Sequence, residues 1–280
     1  MGESLIWIAG DSSAYTLYID PTGAGVDRGV LSIDGIGLPT IEHTAQPFPF
    51  LHGMLDIARR FRDRPVQIGF WQVWTNRANW QAGRQALAAA LNPELGMGQL
   101  KFIDAAANDW RLDAWAVNAP LERRGGWGPY EIRTVLEFWA PWPFWRKASQ
   151  ESVNGDFNGT TPVNINVSND GNMPTIPNTI VLAAGAGETI INPVLTIVGT
   201  GKTIDLAHTI AAGETVTITC FPPDAANVTK GGVSIIGDLT YDSVLVGFEL
   251  PRGNSTVQIV GDAGSNGNCQ LNFYEWFLAI

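Results

Sequence analysis

Residues 198–206 read Val-Gly-Thr-Gly-Lys-Thr-Ile-Asp-Leu. Whether they form a phosphate loop or a tight turn decides the fold. A phosphate loop needs a glycine five positions before its second glycine, so that backbone N–H groups can wrap a phosphate. The second glycine is Gly201, and position 196 holds Thr196. Such a loop must also open a helix. Gly213 follows instead, with the β-branched run Thr215-Val-Thr-Ile-Thr219 behind it. The stretch therefore reads as a hairpin turn made by Gly199 and Gly201.

The same pattern surrounds it. Val163, Ile165 and Val167 alternate with polar residues, as do Val216, Ile218 and Cys220, and Val244, Val246, Phe248 and Leu250 form a third such face. Turn signals separate them at Asn169-Asp-Gly171, Gly185-Ala-Gly187, Gly231-Gly232, Pro251-Arg-Gly-Asn254 and Gly261 to Gly267. Short, evenly spaced strands without a helix predict a β-sandwich.

Upstream the composition changes. Residues 1–150 hold 14 Lys and Arg against 15 Asp and Glu, while residues 151–280 hold 3 against 12, a net of −9. Ten of the eleven tryptophans precede residue 150, and only Trp276 follows it. Such a break predicts two domains, 1–148 and 149–280. An acidic second half lacks the Lys and Arg that displace counterions from a nucleic-acid backbone. Charged residues are 16% of the chain, which leaves much neutral surface and points to assembly.

The first half mixes signals. Tyr15, Leu17 and Ile19 alternate, as do Val66, Ile68 and Phe70, with Pro65 at the first position of its strand. Residues 78–91 predict a helix with Asn79 as N-cap and Trp80, Leu87 and Leu91 along one face, stopped by Asn92-Pro93. Further strands are expected at Leu100–Ile103, Leu112–Val117 and Ile132–Trp139. Between residues 35 and 53, glycine and proline forbid a central strand and predict an extended loop or arm. That arm displays Phe48, Phe50 and Leu51, which it cannot fold into its own sheet, so they are expected contacts to a subunit or partner. The run Phe138-Trp-Ala-Pro-Trp-Pro-Phe-Trp145 reads as a stiff apolar latch at the domain junction.

Catalytic and metal patterns are missing. The histidines are His43, His52 and His208, and their spacing predicts no metal site. No Gly-x-Ser-x-Gly elbow exists, and Cys220 has no cation near it in sequence to make it reactive. Cys220 and Cys269 are too few for a disulfide scaffold and read as buried apolar groups. Asp104, Asp109 and Asp113 flank Trp110 and read as loop and strand-edge charges. The Asn-x-Ser/Thr matches at Asn158, Asn166, Asn227 and Asn254 are expected by chance in so Asn/Thr-rich a region. No enzyme activity and no cofactor are expected. No apolar run reaches the roughly 18 residues of a membrane helix, and the start is not that of a signal peptide, so a soluble chain is expected.

In order and spacing these features resemble the distal tail (Dit) proteins of long-tailed phages. The resemblance runs from Gly35-Ile-Gly-Leu-Pro-Thr-Ile-Glu through Leu91-Asn-Pro93, Gly98-Gln-Leu-Lys and the aromatic-proline stretch. It is strongest in Ile165-Asn-Val-Ser-Asn-Asp-Gly171, Pro177-Asn-Thr-Ile-Val, Ala212-Gly-Glu-Thr-Val-Thr-Ile and Leu250-Pro-Arg-Gly-Asn-Ser-Thr-Val. It implies a mainly β chain: an N-terminal belt domain, barrel-like with one helix, and a C-terminal galectin-like sandwich. It further implies a homohexameric ring between the tail tube and the tip or baseplate hub protein. DNA would pass through its channel unbound, in a virion assembled in the host cytoplasm. The competing expectation is a glycan-binding sandwich, with Tyr241, Phe248, Tyr274 or Trp276 stacking on a sugar.

Overall fold

The computed structural model describes residues 3–19, 28–47, 54–120 and 130–280. The chain forms two compact units. One comprises Met1–Ala148 with Phe277–Ile280, the other Ser149–Trp276.

The first unit is built on one antiparallel sheet. Its strands are β1 (Ser4–Ile8), β2 (Ala14–Ile19), β3 (Arg28–Asp34), β6 (Arg64–Val73), β7 (Gly98–Ile103), β8 (Asp109–Asn118) and β9 (Glu131–Ala140), in the order β2-β1-β7-β8-β9-β6-β3. The short β10 (Trp145–Lys147) pairs with β8. Strict alternation drives one face inward. Leu5, Trp7, Leu17, Ile68, Phe70, Leu100, Leu112, Leu136 and Phe138 are all buried there. The sheet curls until its ends meet: Arg28 on β3 donates from Nη1 to the Thr16 carbonyl on β2 at 3.2 Å, and Tyr15 donates to Gln72 at 2.8 Å. This gives the barrel-like first domain that the resemblance implies.

One helix, α1 (Arg77–Ala90), packs on this barrel through Leu87 and Ala90, and Trp7 Nε1 reaches the Ala90 carbonyl at 2.7 Å. Its N-cap is Asn76, not Asn79. The Asn76 side chain accepts the Asn79 backbone N–H at 2.9 Å, so Asn79 is the third helical residue. Asn92-Pro93 ends the helix as expected, with Asn92 capping a single 3₁₀ turn.

Two expectations need correction here. Residues 41–47 are not irregular: β4 (Ile41–Pro47) and β5 (Met54–Phe61) form a two-stranded ribbon. Because it pairs with no other strand among the described residues, it tolerates Pro47 at its end and a bulge at Thr44/Ala45. Pro65 sits second in β6, after Arg64. The aromatic-proline run, read as a latch at the domain junction, contributes to the first unit's core: Phe138 and Trp145 are buried there, and Phe138 packs 4.8 Å from Trp7.

The second unit is a sandwich of two antiparallel sheets. Its strands are β11 (Glu151–Asn158), β12 (Val163–Asn169), β13 (Thr179–Ala183), β14 (Ile190–Ile191), β15 (Val194–Ile197), β16 (Thr203–Asp205), β17 (Thr209–Ile210), β18 (Thr215–Thr219), β19 (Asn227–Lys230), β20 (Val233–Ser234), β21 (Gly253–Val260) and β22 (Asn266–Phe273). One sheet runs β11-β22-β13-β18-β19-β20, the other β12-β21-β15-β16, and β14 pairs with β17. Ile180, Leu182, Val216, Ile218, Cys269 and Leu271 of the first sheet are buried, as are Ile165, Val167, Leu195, Ile197, Val257 and Ile259 of the second.

The Gly-Thr-Gly-Lys-Thr stretch is the β15–β16 hairpin. Gly199 (φ +99°) and Gly201 (φ +71°) occupy the left-handed region, and Ile197 N–H closes on the Lys202 carbonyl at 3.0 Å. Residues 244–250 are not a strand. Phe248 and Leu250 are buried, whereas Val244 and Val246 are 40% and 39% exposed on an irregular segment.

Candidate assembly surfaces

The outward face of the barrel divides into two halves of opposite character. Along β7, the start of β8, and β10, it is ionic. Asp109 accepts from Lys101 at 2.8 Å and Arg111 at 3.2 Å, and Asp113 from Arg146 at 3.0 Å and Gln99 at 2.9 Å. Burial alone would raise the Asp109 pKa. The hydrogen bonds and charges of Arg111 and Lys101 outweigh it and hold that pKa low. Asp109 and Asp113 thus lie inside a strand network and are not edge charges; Asp104 is the loop residue, accepting from Trp110 Nε1 at 3.1 Å.

Across the end of β8, β9, β6 and β3 the outward face becomes apolar. Trp115 lies opposite Trp139, Pro65 opposite Trp139, and Gly69 opposite Val135. Trp139 is 41% exposed, its indole N–H held by Asp63 at 2.7 Å. Trp71 lies across β3, where a Cβ on Gly29 would come 2.6 Å from its ring nitrogen. Two β-bulges add to the face: Leu31 and Val117 are the extra residues in β3 and β8, and both are 61% exposed. A bulge re-aims its side chain, and here both turn an apolar group to solvent. Two polar rows interrupt it: Gln67 and Asn118 hold Glu137 at 3.4 and 3.3 Å, and Arg133, opposite Trp71, pairs with Glu131 at 2.5 Å. Such a patch on one chain is the mark of a protein–protein contact.

The ribbon β4–β5 offers a second surface. Glu42 and Arg60 pair across it at 2.6 Å, and Ile41 is exposed. The expected contact residues Phe48, Phe50 and Leu51 lie outside the described residues.

Inside the first unit, Arg64 is a feature the sequence did not single out. It is buried and donates to four backbone carbonyls: Pro143 at 2.8 Å, and Gly35, Gly37 and Leu278 at 2.6 Å each. Burial lowers its pKa to about 10, so it remains charged at neutral pH. One side chain thus ties the Gly35–Gly37 turn, the aromatic-proline run and the end of the chain together. Nearby, Phe277 packs edge-on to Trp110 at 5.0 Å, and Lys147 lies 5.7 Å over the Phe277 ring.

The residues considered for other chemistry are otherwise engaged. Lys202 of the hairpin is ion-paired with Glu249 at 2.7 Å. His208 meets Asp238 at 2.7 Å. Cys220 and Cys269 are buried free thiols; burial pushes the first up to about 12 and the second higher still. Of the four aromatics proposed for sugar stacking, Phe248 and Trp276 are buried, Tyr274 is half-buried, and only Tyr241 is fully exposed. A hollow of about 590 Å³ is lined by α1 residues between Ala78 and Ala88 and is a curve of the surface. Among the described residues, no helix is long and apolar enough to cross a membrane.

A barrel-like unit with one helix, carrying a galectin-like sandwich, defines a known class of two-unit β protein. No protein-family model matches the chain, and no curated protein matches it in sequence. Solved structures do. The Dit protein of phage SPP1, described as a paradigm of the hub adsorption apparatus of phages infecting Gram-positive hosts, aligns at a TM-score of 0.67. The alignment covers 97% of this chain and 98% of that one, at 12% identity. A chain of the phage P2 baseplate, in its activated conformation with Ca, aligns at a TM-score of 0.56 over 97% and 98% of the two chains, at 8% identity. The same baseplate with Sr gives 0.55, over 96% and 97%, at 8% identity. The chain has the fold of phage distal tail proteins, end to end.

Proposed function

We propose that this chain is a structural subunit of a phage tail, without enzyme activity. Six copies form a ring between the tail tube and the tip or baseplate hub protein, leaving a channel through which DNA passes unbound. The reading places the protein at the distal end of the tail in the virion. One observation carries it: a hub protein shares the fold over 97% of this chain and 98% of its own.

The barrel's outward face supports it. A ring needs a head-to-tail contact between two different patches of each subunit. The apolar half around Trp139, Val135 and Leu31 supplies one such patch, of the kind permanent interfaces bury. Phe48, Phe50 and Leu51, in the sequence between β4 and β5, are the proposed second patch. Residues 1–148, with 277–280, are then the ring-forming domain, and 149–276 the galectin-like one. Six sandwiches, each at −9, repel one another, which favours places far from the ring axis.

The test is the mass of the purified protein by light scattering over a wide concentration range, with negative-stain images of the peak. A six-fold ring with a central hole, single or stacked, is expected. A persistent monomer that binds selected glycans would replace the hub with the lectin reading.

A further inference from the structure

Residues 236–249 of the second unit raise a separate question. Their alternating valines read as core, yet the core takes up only Phe248 and Leu250. Val244 and Val246 face outward, with Ile236 45% exposed and Tyr241 wholly so. The segment is nonetheless firmly fixed. It runs beside β16 through Thr240 N–H to the Asp205 carbonyl at 3.0 Å and Val244 N–H to the Thr203 carbonyl at 2.9 Å. Ser243 Oγ adds a bond from Asp205 N–H at 2.9 Å. An ordered segment that holds four apolar side chains in water presents a preorganised contact surface.

Its charge names the partner. Residues 236–249 contain Asp238, Asp242 and Glu249 and no Lys or Arg; Asp238 meets His208 and Glu249 pairs with Lys202, which leaves Asp242, beside Tyr241, as the carboxylate offered to a partner. The second half of the chain has three cations in all: Lys202, Lys230 and Arg252. The first is paired with Glu249 and the second with Glu214. Apolar groups beside Asp242, in a domain of net charge −9 whose Lys202 and Lys230 are already paired, match a surface that is apolar and cationic. They disfavour a second copy of the same acidic domain by like-charge repulsion.

We infer that residues 236–249 form a docking surface for a basic, apolar-bearing polypeptide segment, with Tyr241 as its anchor. An exposed tyrosine supplies large contact area at low entropy cost. The surface does not rest on the hub reading, since a protein that forms no ring keeps it.

The test uses the full chain and fluorescent peptides of equal length. One repeats Lys-Leu, one repeats Lys-Ser, and one repeats Glu-Leu. By fluorescence anisotropy, Lys-Leu is expected to bind at least tenfold more tightly than either of the others. Combined Tyr241→Ser, Val244→Ser and Val246→Ser should weaken it about tenfold without changing the melting temperature or the particle seen by negative stain. Asp242→Asn should weaken it less, and only at low salt. Equal binding of Lys-Leu and Lys-Ser, or a triple variant that binds like the parent, overturns the proposal, because charge alone then explains the contact. Self-association of the parent that the triple variant abolishes also overturns it, in favour of a second copy.

Discussion

Arg64 shows how one side chain can organise distant parts of a chain. Its guanidinium fork meets four carbonyls from three segments, a geometry that a lysine, with three donors on one atom, does not reproduce. Arg64→Met leaves those carbonyls without their donor. The expected loss is about 3 kcal/mol of stability, read from the urea midpoint. A loss under about 1 kcal/mol would show that water replaces the arginine. No sequence signal marked Arg64, because its partners are backbone atoms at positions 35, 37, 143 and 278. The thiols were legible, since small apolar-like residues in alternating strands belong inside. Their burial has a pH consequence. Both folded-state pKa values are raised above the ordinary 9.0. The folded chain therefore keeps protons that the unfolded chain has shed. Stability is full below about pH 9 and falls as pH rises toward about 12, by about 1.4 kcal/mol per pH unit per thiol. Melting curves at pH 8, 9 and 10 should show this slope, and the Cys220→Ala/Cys269→Ala double variant should lose it.

Among the elements, the strands were the most legible. Their period of two is set by the pleat, and turn glycines such as Gly199 and Gly201 punctuate it regardless of what lies beyond. What the pattern cannot show is whether an alternating run pairs. Residues 244–250 alternate as well as any strand, yet beyond the single Val244 bond to Thr203 of β16 and Leu250 bridging to Thr175 they join neither sheet. Nor could composition alone show that ribbon β4–β5 would pair with itself. The helix cap was missed for a simpler reason: Asn76 and Asn79 both suit the role, and only geometry tells which accepts the N–H. The two make opposite predictions. Asn76→Ala should lower stability by about 1 kcal/mol, and Asn79→Ala by a few tenths at most. Chemical denaturation of both variants settles the cap, and a larger loss at Asn79 would contradict it.

For the whole molecule, the question is which surface assembles. The apolar half-face was hidden in the sequence because two of its contributors, Leu31 and Val117, reach the outside through bulges that no alternation rule anticipates. The apolar residues Phe48, Phe50 and Leu51, read in the sequence as contacts, lie outside the described residues. If the half-face is the ring contact, Val135→Lys with Trp139→Lys should leave the monomer folded by circular dichroism. The ring should then be absent in light scattering, since an unpaired charge buried at an interface costs several kcal/mol. A ring that survives both lysines would move the contact elsewhere. Finally, the course of the chain has a consequence of its own. It leaves the first unit after Ala148 and re-enters at Phe277, so the sandwich is an insertion in the barrel's chain. The splice points are close, since β10 pairs with the short strand Trp276–Phe277. Cutting the chain at 148 would strip Arg64 of its Leu278 carbonyl, whereas a few glycines from 148 to 277 would keep it. Replacing residues 149–276 by such a short link should therefore leave the barrel's fold undisturbed, which circular dichroism of the shortened chain checks.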